Sequence, residues 1–115
     1  MPRISDDDYL GEFEQIVLLA VARLEREGYG MAIRREIEAR SGRDVSIGAV
    51  YATIERLLDK GYLQATAAAP AERTDARARR FYQLTRAGVT ALETSRDVQA
   101  RMWAGVRLQK AGRKS

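Results

Sequence analysis

At about 100° per residue, the stretch from Ile47 to Lys60 sorts into two faces. Ile47, Val50, Leu57 and Leu58 fall within about 60° of Ile54 and make one side apolar. The other side carries Gly48, Ala49, Ala52, Arg56, Asp59 and Lys60, with Thr53 at its margin. Small side chains let a helix backbone approach the base edges of a DNA duplex. A threonine there can donate, accept or offer its methyl to thymine, and an arginine can bridge to guanine or phosphate. Ser46 is placed as an N-cap, and the free N–H groups of the first turn suit phosphate. Tyr51 lies at the edge of the apolar side, where its hydroxyl can reach a phosphate or its ring can simply pack. Ser46, Gly48, Ala49, Tyr51, Ala52, Thr53 and Arg56 are therefore the candidate DNA-reading set. A bland exposed helix surface is the alternative.

A second candidate lies further along the chain. Between Glu72 and Arg86 stand five arginines (73, 77, 79, 80 and 86) against Glu72 and Asp75. Basic residues flanked by aromatic ones can hold phosphates; a solvated loop is the ordinary reading. Arg77 and Arg79 are the expected phosphate contacts. Arg80 alternates with Arg79 and points to the other sheet face. Phe81 and Tyr82 are expected to pack rather than stack on bases.

Other chemistry is poorly supplied. The chain of 115 residues has no Cys and no His, which removes thiol nucleophiles, Cys/His zinc sites and imidazole acid–base catalysis. No glycine-rich phosphate loop or metal-ligand cluster is present, so an enzyme is not expected, and no cofactor or metal. Asp6, Asp7 and Asp8 are consecutive, and such residues rarely converge on one ion. No apolar run reaches the length of a membrane span, and the start lacks the apolar core of a signal peptide. A cytoplasmic protein without membrane association is the expectation. A winged helix that binds only protein would favour an acidic outer face on the third helix; Glu55 and Asp59 lie there, but Arg56 and Lys60 balance them.

These residues need elements to position them. Leu10, Phe13, Ile16, Val17, Ala20, Val21 and Leu24 predict a first helix from about Leu10 to Glu27. Gly28-Tyr29-Gly30 breaks it. A second helix is expected over Met31–Arg40, with Gly42 as a left-handed cap, and a third over Ile47–Lys60, stopped by Gly61. Tyr62–Thr66 and Arg79–Leu84 alternate as strands around a polar loop, Ala67–Ala78, and predict a β-hairpin. Thr85 then caps a last helix, Arg86–Leu108. The expected fold is mainly α with a small β-hairpin: a winged helix-turn-helix plus a C-terminal dimerisation helix. It divides into an acidic segment 1–9, a DNA-binding domain 10–84, a dimerisation helix 85–108 and a basic tail 109–115. On the last helix Leu92, Val98, Met102, Trp103 and Val106 form a loose apolar side, and its large residues cluster near the end. Such a cluster suggests a partner surface, here a two-fold homodimer seam. Trp103 could also line a site for a small, flat aromatic effector between protomers; plain packing is the alternative.

Four stretches of this chain resemble the PadR-type transcriptional regulators. They are residues 10–19 (LGEFEQIVLL), 29–37 (YGMAIRREI), 45–61 (VSIGAVYATIERLLDKG) and 79–88 (RRFYQLTRAG). Within them, Ser46-x-Gly48-x-x-Tyr51 and Tyr82-x-Leu84-Thr85-x-x-Gly88 carry most of the likeness. The resemblance implies a winged-helix domain that binds double-stranded DNA, and usually a homodimeric repressor that responds to small molecules; a two-fold dimer in turn predicts a pseudo-palindromic operator. It implies the short subtype, in which the single C-terminal helix makes most of the dimer contact. One departure stands out. The family's hairpin often carries Gly-Gly-Arg where this chain has Thr74-Asp75-Ala76-Arg77. Ala does not readily take positive φ, so a differently turned hairpin tip is expected.

Overall fold

The computed structural model describes residues 9–67 and 80–109. Within them the order is α1 (Glu12–Leu24), a single 3-10 turn (Glu25–Glu27), α2 (Gly30–Ser41), α3 (Ile47–Asp59), β1 (Leu63–Ala67), β2 (Arg80–Leu84) and α4 (Arg86–Trp103). The mainly helical fold with a small hairpin is as the periodicity predicts. Most boundaries shift by one or two residues, β1 taking Ala67 from the expected loop, and two helix ends differ by more. The first helix gives way to a tighter turn at Glu25, whose φ of 55° stops the α-helical ladder. The last helix ends at Trp103 instead of Leu108, turned out at Ala104–Gly105, so Val106 lies beyond it.

One core joins all the elements. Val17, Leu18 and Val21 of α1 meet Ile33 and Ile37 of α2 and Val50, Ile54 and Leu57 of α3. Leu63 and Tyr82 bring the hairpin into the same cluster, and Leu10 closes it from the N-terminal side. Each of these side chains is buried, so each contributes roughly 1.5–3 kcal/mol of apolar transfer relative to exposure.

The turn between α2 and α3 is held from both sides. Arg34 Nε donates to the Val45 carbonyl at 2.8 Å, and the Val45 N–H donates to Glu38 Oε2 at 3.4 Å. Gly42 takes the left-handed conformation, with φ of 75°. Ser46 then caps α3: its Oγ accepts from the Ala49 N–H at 3.0 Å. At the other end Gly61 has φ of 80°. Its N–H donates to the Leu58 carbonyl, and the Tyr62 N–H donates to that of Leu57. This pair of bonds is a Schellman ending. It reverses the chain directly into β1.

The strands pair antiparallel, with Leu63 opposite Leu84 and Ala65 opposite Tyr82. A third segment joins them. The Tyr82 N–H donates to the Gly28 carbonyl at 2.8 Å, and Tyr29 bridges Phe81. The Tyr29 and Phe81 rings meet edge to face with centroids 5.6 Å apart. Arg35 covers Tyr29 and donates to its hydroxyl at 2.8 Å. The glycine-flanked break after α1 is thus also the seat of the hairpin.

Thr85 and Gly88 fasten α4 to this frame. Thr85 Oγ1 accepts from the Gly88 N–H and donates to the Gly61 carbonyl at 2.6 Å. A Cβ on Gly88 would collide with the Tyr62 carbonyl oxygen, so the helix can start this close only with glycine there. Beyond Val98 the helix leaves the body, and every residue from Gln99 to Gln109 is exposed. The radius of gyration is 17.1 Å, against about 13 Å for a compact chain of roughly 100 residues.

Candidate nucleic-acid interface

The exposed side of α3 is continuous from its N-cap to its last turn. Ser46, Gly48, Ala49, Ala52, Glu55 and Asp59 are all on it, and Arg56 and Tyr51 flank it. Nothing lies within 4 Å of where a Cβ on Gly48 would stand. The protein's own packing therefore gives no reason for glycine, which costs about 0.5–1 kcal/mol against alanine inside a helix.

Tyr51 both packs and shows. It is half exposed, and its phenol end rests on Gly30, where any side chain would strike it. The hydroxyl is thereby brought to the N-terminus of α2, next to the start of α3. The phenol end thus has a packing partner in Gly30, while the residue as a whole stays 43% exposed.

Thr53 departs from its expected place. It is 2% exposed, and its Oγ1 accepts from Arg56 Nη2 at 3.1 Å. At the margin of a helical projection a residue can belong to either side. Here it is drawn inward, because α1 packs along that flank of α3. The threonine hydroxyl is spent on Arg56 and is not presented with the small residues.

Arg56 is itself turned toward α1. Its Nε lies 3.6 Å from Glu14 Oε2, and Lys60 Nζ lies 3.0 and 3.2 Å from the two Glu14 oxygens. Glu14 also accepts from the Gly11 N–H at 2.9 Å, the reciprocal half of a capping box. Burial alone would raise the Glu14 pKa. The Gly11 N–H, Lys60 and Arg56 together outweigh it and hold the carboxyl below its ordinary range. Glu14 stands in line with Leu10, Val17, Leu18 and Val21 on the buried stripe of α1. A charge on that stripe was the signal that it needed a cationic partner, and the sequence reading passed over it.

With Arg56 and Lys60 engaged by Glu14, the balance expected on the outer face is broken. Among the described residues, Glu55 and Asp59 form no ion pair and stay exposed. The electrostatic profile of α3 therefore runs from an uncharged first half, with the positive end of the helix dipole, to an acidic second half. Arg77 and Arg79 lie outside the described residues, as does the hairpin tip with Thr74-Asp75-Ala76. Arg80 is exposed at the loop end of β2, opposite Ala67. Among the described residues, no group of His, Cys, Asp or Glu is placed to hold a metal ion.

The second candidate surface is apolar. Met102 is 72% exposed and Trp103 57%, and Val106 is exposed just past the helix end. Leu92 and Val98 are half-buried, Leu92 against the core. A groove of about 510 Å³ runs between α1 and α4 over Leu19, Ala22, Leu84, Val89 and Leu92. Leu19 and Val89 open to solvent within it. Sequence reasoning missed Leu19, which sits among the apolar residues of α1 but off its buried stripe. Among the described residues, no helix is long and apolar enough to cross a membrane.

The sequence matches the Transcriptional regulator PadR-like family over residues 18–94. No curated protein matches it. Among solved structures, RosR of H. salinarum, in the hsRosR-S1 complex, is 26% identical with a TM-score of 0.67, over 89% of this chain and 83% of that one. A PadR-like transcription factor from Bacteroides fragilis is 21% identical with a TM-score of 0.67, over 78% and 82%. A PadR-like regulator from Bacillus cereus is 20% identical with a TM-score of 0.66, over the same shares. These last two share the winged-helix fold. The family consists of transcription regulators and not of enzymes. By the match over most of its length, and by the winged-helix frame that places α3 at the surface, the chain belongs to the PadR-like family of DNA-binding transcriptional regulators.

Proposed function

We propose that the protein is a homodimeric repressor that reads a pseudo-palindromic operator with the first half of α3. The open space around Gly48 carries this reading. A glycine kept at a helix surface, with no packing reason, suits close approach to base edges. Ser46, Gly48, Ala49 and Ala52 meet the groove. The Tyr51 hydroxyl meets a phosphate beside the start of α2. Arg56 reaches DNA only by leaving Glu14, so its contribution to base discrimination is smaller than an unpaired arginine's. Arg77 and Arg79 of the hairpin hold phosphates. Residues 10–84 make up the DNA-binding unit, and α4 from residue 85 onward is the dimerisation element.

The dimer is supported by the exposed tip of α4 and the groove it leaves beside α1. Large apolar side chains gathered on one projecting element favour a partner. A two-fold dimer carries two copies of α3, which sets half-sites about one helical turn apart, roughly 34 Å. A small aromatic effector held near Trp103 at the seam would alter that separation and release DNA. Titrating intrinsic tryptophan fluorescence with planar aromatic compounds tests this; no response across a broad panel removes the effector.

Selection of bound duplexes from a random pool tests the main reading. A repeated half-site with two-fold symmetry is expected. Equal affinity for every sequence, at low and moderate salt, overturns it.

A further inference from the structure

We infer that Glu55 reads the amino group of a cytosine in the duplex that α3 enters. This rests on the DNA-reading role of α3 and adds a residue and a base to it. Glu55 lies on the exposed mid-line of α3 with Gly48, Ala52 and Asp59. A rise of 1.5 Å per residue puts it about 12 Å along the axis from Ile47, close to the roughly 12 Å width of the major groove. Helical side chains lean toward the N-terminus, so the Glu55 carboxylate reaches back over the turn of Tyr51 and Ala52. That turn is in the half of the helix with small residues, where the backbone comes nearest the bases. Asp59, one turn further, is shorter and leans over Glu55 rather than over the groove end.

Among the described residues the carboxylate also has no ion-pair partner. The two nearest cations along α3, Arg56 and Lys60, are held by Glu14 on the α1 side. On the hairpin side stand the Tyr82 hydroxyl, buried and near enough to feel the Glu55 charge, and Arg80, which forms no ion pair with Glu55 within 4.0 Å. A free carboxylate is repelled by phosphates, so inside a groove it is tolerated only against a donor. The major groove offers two amino donors, N4 of cytosine and N6 of adenine. Adenine sets its N7 acceptor beside N6, which repels a carboxylate. Cytosine sets no acceptor of its own there. A C·G pair under Glu55 is the complementary surface.

Selection from random duplexes tests this with the full chain and with Glu55→Gln, Glu55→Ala and Asp59→Asn. All three substitutions are on exposed positions, and circular dichroism melting verifies that each variant folds. For the native chain, a half-site position with cytosine is expected, where any other pair weakens binding about tenfold. Glu55→Ala flattens that position. Glu55→Gln moves it toward adenine, because a glutamine amide can pair with N6 and N7 together. Asp59→Asn leaves the base profile unchanged while raising affinity for random DNA, as both Glu55 variants also do. Base profiles for the Glu55 variants identical to the native one overturn the inference while leaving the operator-binding role standing. A native chain that enriches no motif overturns the DNA-reading role of α3 itself.

Discussion

Gly48 and Gly88 show how alike two glycines look in a sequence and how differently they act. A Cβ on Gly48 meets open space, and one on Gly88 meets the Tyr62 backbone. Gly48→Ala is therefore expected to stabilise the fold by about 0.5–1 kcal/mol in denaturant unfolding, and to weaken operator binding in a mobility shift. Gly88→Ala is expected to destabilise by about 2 kcal/mol, because the overpacked atom is backbone and cannot rotate away. Glu14 makes a pH prediction of definite sign. Its folded pKa lies below the ordinary value, so its contribution is present above the unfolded pKa and is lost as pH falls through the folded one. Native chain and Glu14→Gln should differ in unfolding free energy at neutral pH, with Glu14→Gln the less stable. The difference should close in acid. A constant difference across the range would remove the ion cluster as its cause.

At the scale of elements, the helices and hairpin were legible because their apolar periods are distinct. Leu10 to Leu24 repeats at helical steps, and Tyr62–Thr66 and Arg79–Leu84 alternate. The ends were less legible. Gly105, with φ of 79°, is the local signal for a stop after Trp103, but Val106 and Leu108 continue the apolar drift past it and mask it. The resemblance motif Tyr82-x-Leu84-Thr85-x-x-Gly88 has a structural meaning here. Tyr82 enters the core, Leu84 pairs with Leu63, Thr85 caps α4 and holds Gly61, and Gly88 admits the helix against Tyr62. The motif specifies how hairpin and α4 join, not how DNA is read. Thr85→Ala should thus cost about 1 kcal/mol of stability, with little change in base preference. The phosphate-holding role proposed for Arg79 is of the opposite kind. Arg79→Ala should weaken binding to all duplexes about equally and flatten the salt slope by about one unit, with unchanged thermal stability.

The whole molecule is a body with a projecting arm. The arm is the last stretch of α4 and the residues after it, exposed from Gln99 to Gln109, and the groove over Leu19, Val89 and Leu92 is mostly apolar. Leu19→Glu should leave the fold intact, because the side chain is already half exposed. If the proposed dimer uses this groove, sedimentation should then show a monomer at concentrations where the native chain sediments as a dimer, with operator affinity reduced accordingly. An unchanged dimer would move the seam off this groove. Composition and period were enough to determine the element types, the apolar core and the face of α3 that points outward, because each depends on local spacing along one helix or strand. Tertiary structure alone decided what flanks that face. Thr53 went inside, Arg56 and Lys60 were drawn to Glu14, and Glu55 was left without an ion pair among the described residues, because those outcomes depend on α1 crossing beside α3. Residues 46 apart in the chain, Glu14 and Lys60, meet only once the helices pack.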